Sequence, residues 1–108
     1  MAVLHQKLAQ GEWQKLSFYQ QLGNIGAEIS RARGWWEKGD ELGRERALER
    51  ALELITLTLS QNLGAPRFKE LSRFKEVIIG LNSNADNYQV SFKDLENFCL
   101  NFALLARS

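Results

Sequence analysis

Cysteine, histidine and proline each occur once in these 108 residues, and each scarcity removes a class of chemistry. A single thiol, Cys99, cannot close an internal disulfide, so a reducing, cytoplasmic setting is expected. A zinc site takes about four ligands, usually histidine or cysteine. His5 and Cys99 supply too few, and the same shortage argues against a Ser-His or Cys-His nucleophile pair. No catalytic residue, metal ligand or cofactor is therefore expected. Long apolar runs are lacking too. Nothing approaches about 18 consecutive apolar residues, so no membrane span is expected. The opening stretch MAVLHQKLAQGEW has no apolar core of the signal-peptide kind. Nor does one sign of charge dominate. Fourteen basic residues against thirteen acidic give +1, far from the field of a general nucleic-acid binder.

What is present is ordinary for a soluble globular chain: 44% hydrophobic and 25% charged residues, without repeats or low-complexity stretches. A chain of this length forms one domain, 1–108, and buries roughly two thirds of its unfolded surface. Its periodicity is helical. Residues 2–10, with Val3, Leu4 and Leu8 on one side, suit a short helix interrupted by Gly11. The next helix starts near Glu12 or near Phe18, the later start having Ser17 with Gln20 three residues on as a capping box, and it runs to about Lys38. Gly39 then supplies a left-handed C-terminal residue, and Asp40 caps the next helix, which runs to about Gln61. Leu48, Leu52, Ile55 and Leu59 form its expected buried face, with Ala47 and Ala51 beside it, while Glu45, Glu49, Arg50 and Glu53 face solvent. Pro66 suits a first helical turn, because its missing N–H is harmless there. Phe68, Leu71, Phe74, Val77, Ile78 and Leu81 follow at helical spacing. The run NSNADN, residues 82–87, reads as a loop, and Ser91 with Asp94 opens a last helix that buries Leu95, Phe98, Cys99, Phe102, Leu105 and Ala106.

Two stretches point the other way. LITLTL, residues 54–59, alternates like a strand, as do Tyr88, Val90 and Phe92. The first continues a capped, charged helix with no breaker, and the second is short. Helix is expected at the first and a brief extended entry to the last helix at the second, with an α+β fold as the minor alternative.

The segment Leu22 to Trp36 carries two stripes. Phe18, Leu22, Ile25, Ile29, Ala32 and Trp36 form an apolar seam. Gly23, Gly26, Ala27, Ser30 and Gly34 form a stripe of small residues beside it. Each interior glycine costs a helix roughly 1 kcal/mol relative to alanine, so a close-packed neighbour is expected. Gly23-Asn24 could alternatively break the helix. Trp35 falls on the side of Asn24, Glu28 and Arg31; it either folds back over the turn at Gly39 or marks an interface. The candidate interface is accordingly Gly23, Gly26, Ala27, Ser30, Gly34 and Trp35. Glu28, Arg31, Arg33 and Glu37 surround it, as a solvated face or as the rim of a pocket; Arg33 and Glu37 are spaced to pair. Leu54, Leu57, Leu100 and Leu104 point away from the main apolar faces. Helices apolar on two sides are central or covered by another subunit, which favours a twofold homodimer.

Three other features are weaker. Asn82, Asn84, Asp86 and Tyr88 alternate like calcium-loop ligands, but Asn87 and Lys93 stand where that loop wants Gly and Glu. A plain inter-helix loop is the better reading. Cys99 lies on an apolar face, as a structural thiol. Arg67, Lys69, Arg73 and Lys75 form a candidate basic surface, interrupted by Glu70 and Glu76. No helix-turn-helix or RNA-binding signature accompanies them, and nucleic acid is not the expected partner.

The strings ISRARGWWEKGDELGRERALERALELITLTL, RFKELSRFKEVIIGL and LENFCLNFALLAR together resemble a small family of uncharacterised bacterial helical proteins. The resemblance spans about residues 17–107. It implies a bacterial helical domain of unknown function and carries over no site. The chain is also similar in size to the helical domains partnered with minimal nucleotidyltransferases. The RNases among those carry an arginine followed at four to six residues by histidine, which is absent here. The fold class expected is all-α: an antiparallel four-helix bundle, with room for a short fifth helix at the N-terminus. The function expected is a non-catalytic homodimeric interaction or regulatory module, with a further protein partner allowed. The alternative is a small-molecule or nucleotide binder with its pocket near the small stripe and Trp35. A weak RNA or DNA binder comes third.

Overall fold

The structure, a computed structural model, describes residues 11–83 and 92–107. It is all-α. A 3-10 turn, Trp13–Lys15, precedes four helices: α1 (Phe18–Glu37), α2 (Glu41–Leu59), α3 (Ala65–Ser83) and α4 (Phe92–Arg107). The expected fifth helix at residues 2–10 lies outside the described residues, as do Asn84, Asp86 and Tyr88 of the loop.

Local signals set the boundaries. The Ser17 hydroxyl accepts from the Gln20 N–H at 3.1 Å, and the Gln20 side chain accepts from the Ser17 N–H at 2.9 Å. Both halves of the capping box are therefore made. Gly39, with φ 75°, ends α1, and the Asp40 carboxylate accepts from the Gly43 N–H at 2.8 Å to start α2. No break occurs at Gly23-Asn24; the Asn24 amide donates to the Gln20 carbonyl within a continuous α1. The alternating LITLTL stretch is helical because its threonines bond backward. The Thr56 and Thr58 hydroxyls donate to the Leu52 and Leu54 carbonyls at 2.9 and 2.8 Å. Asn82 and Ser83 complete α3 instead of opening the loop.

The helices run antiparallel. Helix α1 packs on α2 along one flank and on α4 along the other, and α2 also packs on α3. Helices α3 and α4 meet where Phe74 stacks on Phe98 at 4.5 Å; within α4, Phe98 meets Phe102 edge-on at 5.6 Å. Leu22, Ile25, Ile29 and Ala32 of the α1 seam are fully buried. Trp36, one turn further, is 56% exposed because the bundle ends there; it leans on Phe92 at 5.6 Å.

The buried face of α2 is rotated from the expected one. Arg44, Ala47, Leu48, Ala51, Leu54, Ile55 and Thr58 are inside, whereas Leu52 and Leu59 are half-buried. Leu54 therefore belongs to the core and is not surplus apolar surface. The small Ala47 and Ala51 let α1 and α2 approach closely, which turns this side inward. Phe68, at the start of α3, is half exposed and outside the core.

At one end of the bundle Trp13 is fully buried. Its indole N–H donates to the Thr58 hydroxyl at 2.9 Å, and its carbonyl accepts from the Gln21 amide at 2.9 Å. Gln21 and Gln61 exchange amide hydrogen bonds at 2.8 and 2.9 Å. Each buried polar group here has a partner, so the 3-10 turn closes this end without a desolvation penalty.

The two flanks of helix α1 as candidate sites

Successive helical positions differ by about 100°, so the six candidate interface residues of α1 cannot all share one direction. Gly26 and Ser30 face α4. Gly23 shares a groove with them. Ala27 is exposed and Gly34 half-buried. Trp35 lies on the opposite flank, against α2. Three of the six thus share the α4 flank, Trp35 lies on the α2 flank, and Ala27 and Gly34 line neither depression.

On the α4 flank, a Cβ built at Gly26 would stand 3.5 Å from the Cβ of Cys99, an ordinary contact. A methyl group would fit there, so this neighbour is close but does not require glycine. Gly23 and Gly34 lack even that, since nothing lies within 4 Å of their Cβ positions. The Ser30 hydroxyl donates to Glu96 Oε2 at 2.6 Å, and Arg33 Nη1 pairs with Glu96 Oε1 at 2.8 Å. Arg33 also reaches Glu37, at 3.8 Å, as their spacing suggested. Between the helices runs a groove of about 400 Å³, lined among others by Tyr19, Gly23, Gly26, Asn97, Cys99 and Leu100. Leu100 is 57% exposed beside it, and Tyr19 and Leu104 are exposed as well. Burial, and secondarily the Glu96 carboxylate, pushes the Cys99 thiol up to about 12. It is a neutral thiol at pH 7, not a nucleophile.

On the α2 flank the central group is Glu28, which periodicity alone would leave on a polar face. Its carboxylate is buried, at 4% side-chain exposure. Arg50 Nε donates to Glu28 Oε2 at 2.6 Å, and Arg31 Nη1 donates to Oε1. Arg50 is therefore not part of a solvated face. A buried carboxylate is tolerable only with such partners. Two turns along, the Trp35 indole lies against Gly43: a Cβ there would come within 2.7 Å of the ring. Trp35 therefore folds onto α2 just past the turn at Gly39, yet remains 38% exposed. Gly43, not a glycine of α1, has the closest contact among the described glycines, and no local pattern could have pointed to it. Arg44 is a second unforeseen buried charge. It is 7% exposed, its Nη2 is 3.9 Å from Glu45, and its Nη1 has no hydrogen-bond partner among the described residues.

The four basic residues of α3 do not make one surface. Arg67 sits over the Phe18 ring, 4.6 Å from its centre, and so packs against the bundle. Lys69 and Arg73 are exposed one turn apart, and Lys75 is half-buried elsewhere on the helix. Among the described residues, no three His, Cys, Asp or Glu side chains gather to hold a metal, and no helix is long and apolar enough to cross a membrane. No protein-family model, curated protein or solved structure matches this chain.

Proposed function

We propose that this protein is a non-catalytic interaction module that pairs with a second copy of itself across the α1–α4 groove. One observation carries the reading: a knob and a floor share one face. Leu100 is 57% exposed beside Gly23, whose side-chain position is open. A twofold contact uses the same patch on both copies, so each Leu100 enters the other copy's glycine floor. Fully burying a leucine contributes roughly 1.5–3 kcal/mol, and the symmetric contact buries it twice.

Electrostatics support the same reading. The carboxylate that lines the groove, Glu96, is already paired with Arg33 and Ser30. Its charge is therefore compensated by Arg33, although Oε1 is buried without a hydrogen bond among the described residues. The buried, neutral thiol of Cys99 agrees with a non-catalytic role and a reducing, cytoplasmic setting. Size-exclusion chromatography with light scattering at micromolar concentration tests the proposal. The expected mass is about 25 kDa, twice the 12.4 kDa of the chain. A species of 12.4 kDa at every concentration would count against it.

A further inference from the structure

A second depression, of about 260 Å³, lies on the α2 flank between the end of α1 and the first turns of α2. The Trp35 indole lines it, as do Gly43, Asp40 and, one helical turn apart, Leu42, Arg46 and Arg50. Gly43 fixes the aromatic wall: any Cβ would stand 2.7 Å from Cγ and Cδ2 of the indole, so glycine is what lets the ring lie against the helix backbone. The ring is held, yet 38% of Trp35 stays exposed.

Cations surround this ring. Lys38 Nζ is 5.2 Å from its centre. Arg46 has no ion-pair partner among the described residues. Arg50 uses Nε on Glu28 and keeps its terminal N–H donors. The Asp40 carboxylate accepts the Gly43 N–H through Oδ1, which leaves its other oxygen available to a donor. A fixed aromatic face, two guanidinium groups a turn apart and one hydrogen-bond acceptor are complementary to a ring, an anionic group and a hydroxyl on one small molecule.

We propose that this depression binds a small anion bearing a planar ring, of the nucleoside monophosphate kind. The ring stacks on Trp35, the phosphate sits between Arg46 and Arg50, and a sugar hydroxyl donates to Asp40. The open depression has room for no more than one nucleotide, held part-exposed, and the scattered cations of α3 offer no track for a longer strand. The site is on the opposite flank of α1 from the groove and does not rest on self-association.

The indole N–H resonances of uniformly labelled protein, with Trp35 assigned by W35F, report on the site separately from Trp13 and Trp36. Adenosine monophosphate is expected to shift the Trp35 resonance saturably, with adenosine and inorganic phosphate each at least tenfold weaker. Arg46→Glu should weaken binding at least tenfold while leaving the thermal melt unchanged. Gly43→Ala, which displaces the ring without altering charge, should do likewise for affinity. The proposal is overturned by the absence of a saturable shift at millimolar nucleotide. It is equally overturned by phosphate binding as tightly as the nucleotide, by an Arg46→Glu protein that binds as the wild type does, or by a hexanucleotide that binds more than tenfold tighter.

Discussion

Helix α1 is pinned by specific side-chain contacts on one flank and lined by small residues on the other. Toward α2 it sends a carboxylate, an amide and an indole: Glu28 bridges Arg31 and Arg50, Gln21 pairs with Gln61, and Trp35 lies on Gly43. Every one of these contacts has a specific partner. Toward α4 the same helix presents Gly23, Gly26 and Ser30, and the result is a groove of about 400 Å³ with Leu100 standing exposed beside it. The polar flank joins α1 to α2. The small-residue flank leaves an open groove with Leu100 exposed beside it, which is why it is the flank assigned to a second copy.

Substitutions should separate the two flanks. The largest effect is expected at Glu28. Glu28→Ala strips a buried carboxylate from two arginines and should lower stability by about 2–3 kcal/mol in urea unfolding, below the full cost of a deeply buried pair because Arg31 is largely exposed. A loss under 0.5 kcal/mol would mean the bridge is ornamental. Next comes Gly26→Leu, which forces three further carbons beyond a Cβ already 3.5 Å from Cys99. A cost of about 2 kcal/mol follows from overpacking, together with loss of any dimer. An unchanged melt and mass would show that this part of the stripe is merely exposed.

The third test is alkaline. The Cys99 thiol is raised from 9.0 to about 12 in the folded protein, chiefly by burial. The unfolded chain then loses this proton first, so the folded state holds more protons between those values. Stability attributable to Cys99 is complete below pH 9 and falls by about 1.4 kcal/mol per unit as pH rises toward 12. Cys99→Ala should flatten that part of the melting profile relative to the wild type; identical slopes would argue that the thiol is not sealed.

The smallest effects are the most discriminating. Gly34→Ala and Gly23→Ala each add a methyl group where nothing lies within 4 Å, and should stabilise the helix by about 0.5–1 kcal/mol. Only Gly23→Ala should also weaken self-association, because only Gly23 lines the groove. Equal effects of both on dimer affinity would dissolve the distinction.

How much of this was legible beforehand follows the distance between partners along the chain. Ser17 with Gln20, and Gly39 with Asp40, are neighbours in sequence, so the cap chemistry could be read directly and the helix starts followed. The small stripe suggested a close approach, but Gly26 leaves room for a methyl group before Cys99, and Gly23 and Gly34 face open space. Glu28–Arg50 and Trp13–Thr58 join residues that no local pattern connects, and their partners lie 22 and 45 positions away. Nothing local marked Gly43, whose reason, the Trp35 ring, belongs to another helix. Leu54 was misassigned because the buried face of α2 is set by alanines that admit α1, not by its largest side chains.

Sedimentation equilibrium on the wild type, Leu100→Glu and Arg46→Glu tests the assignment of the open flank most directly. The wild type and Arg46→Glu should both give a dimer at micromolar concentration, while Leu100→Glu gives a monomer with an unaltered thermal melt. A monomeric wild type at 100 micromolar, or a Leu100→Glu protein that still dimerises, would contradict it.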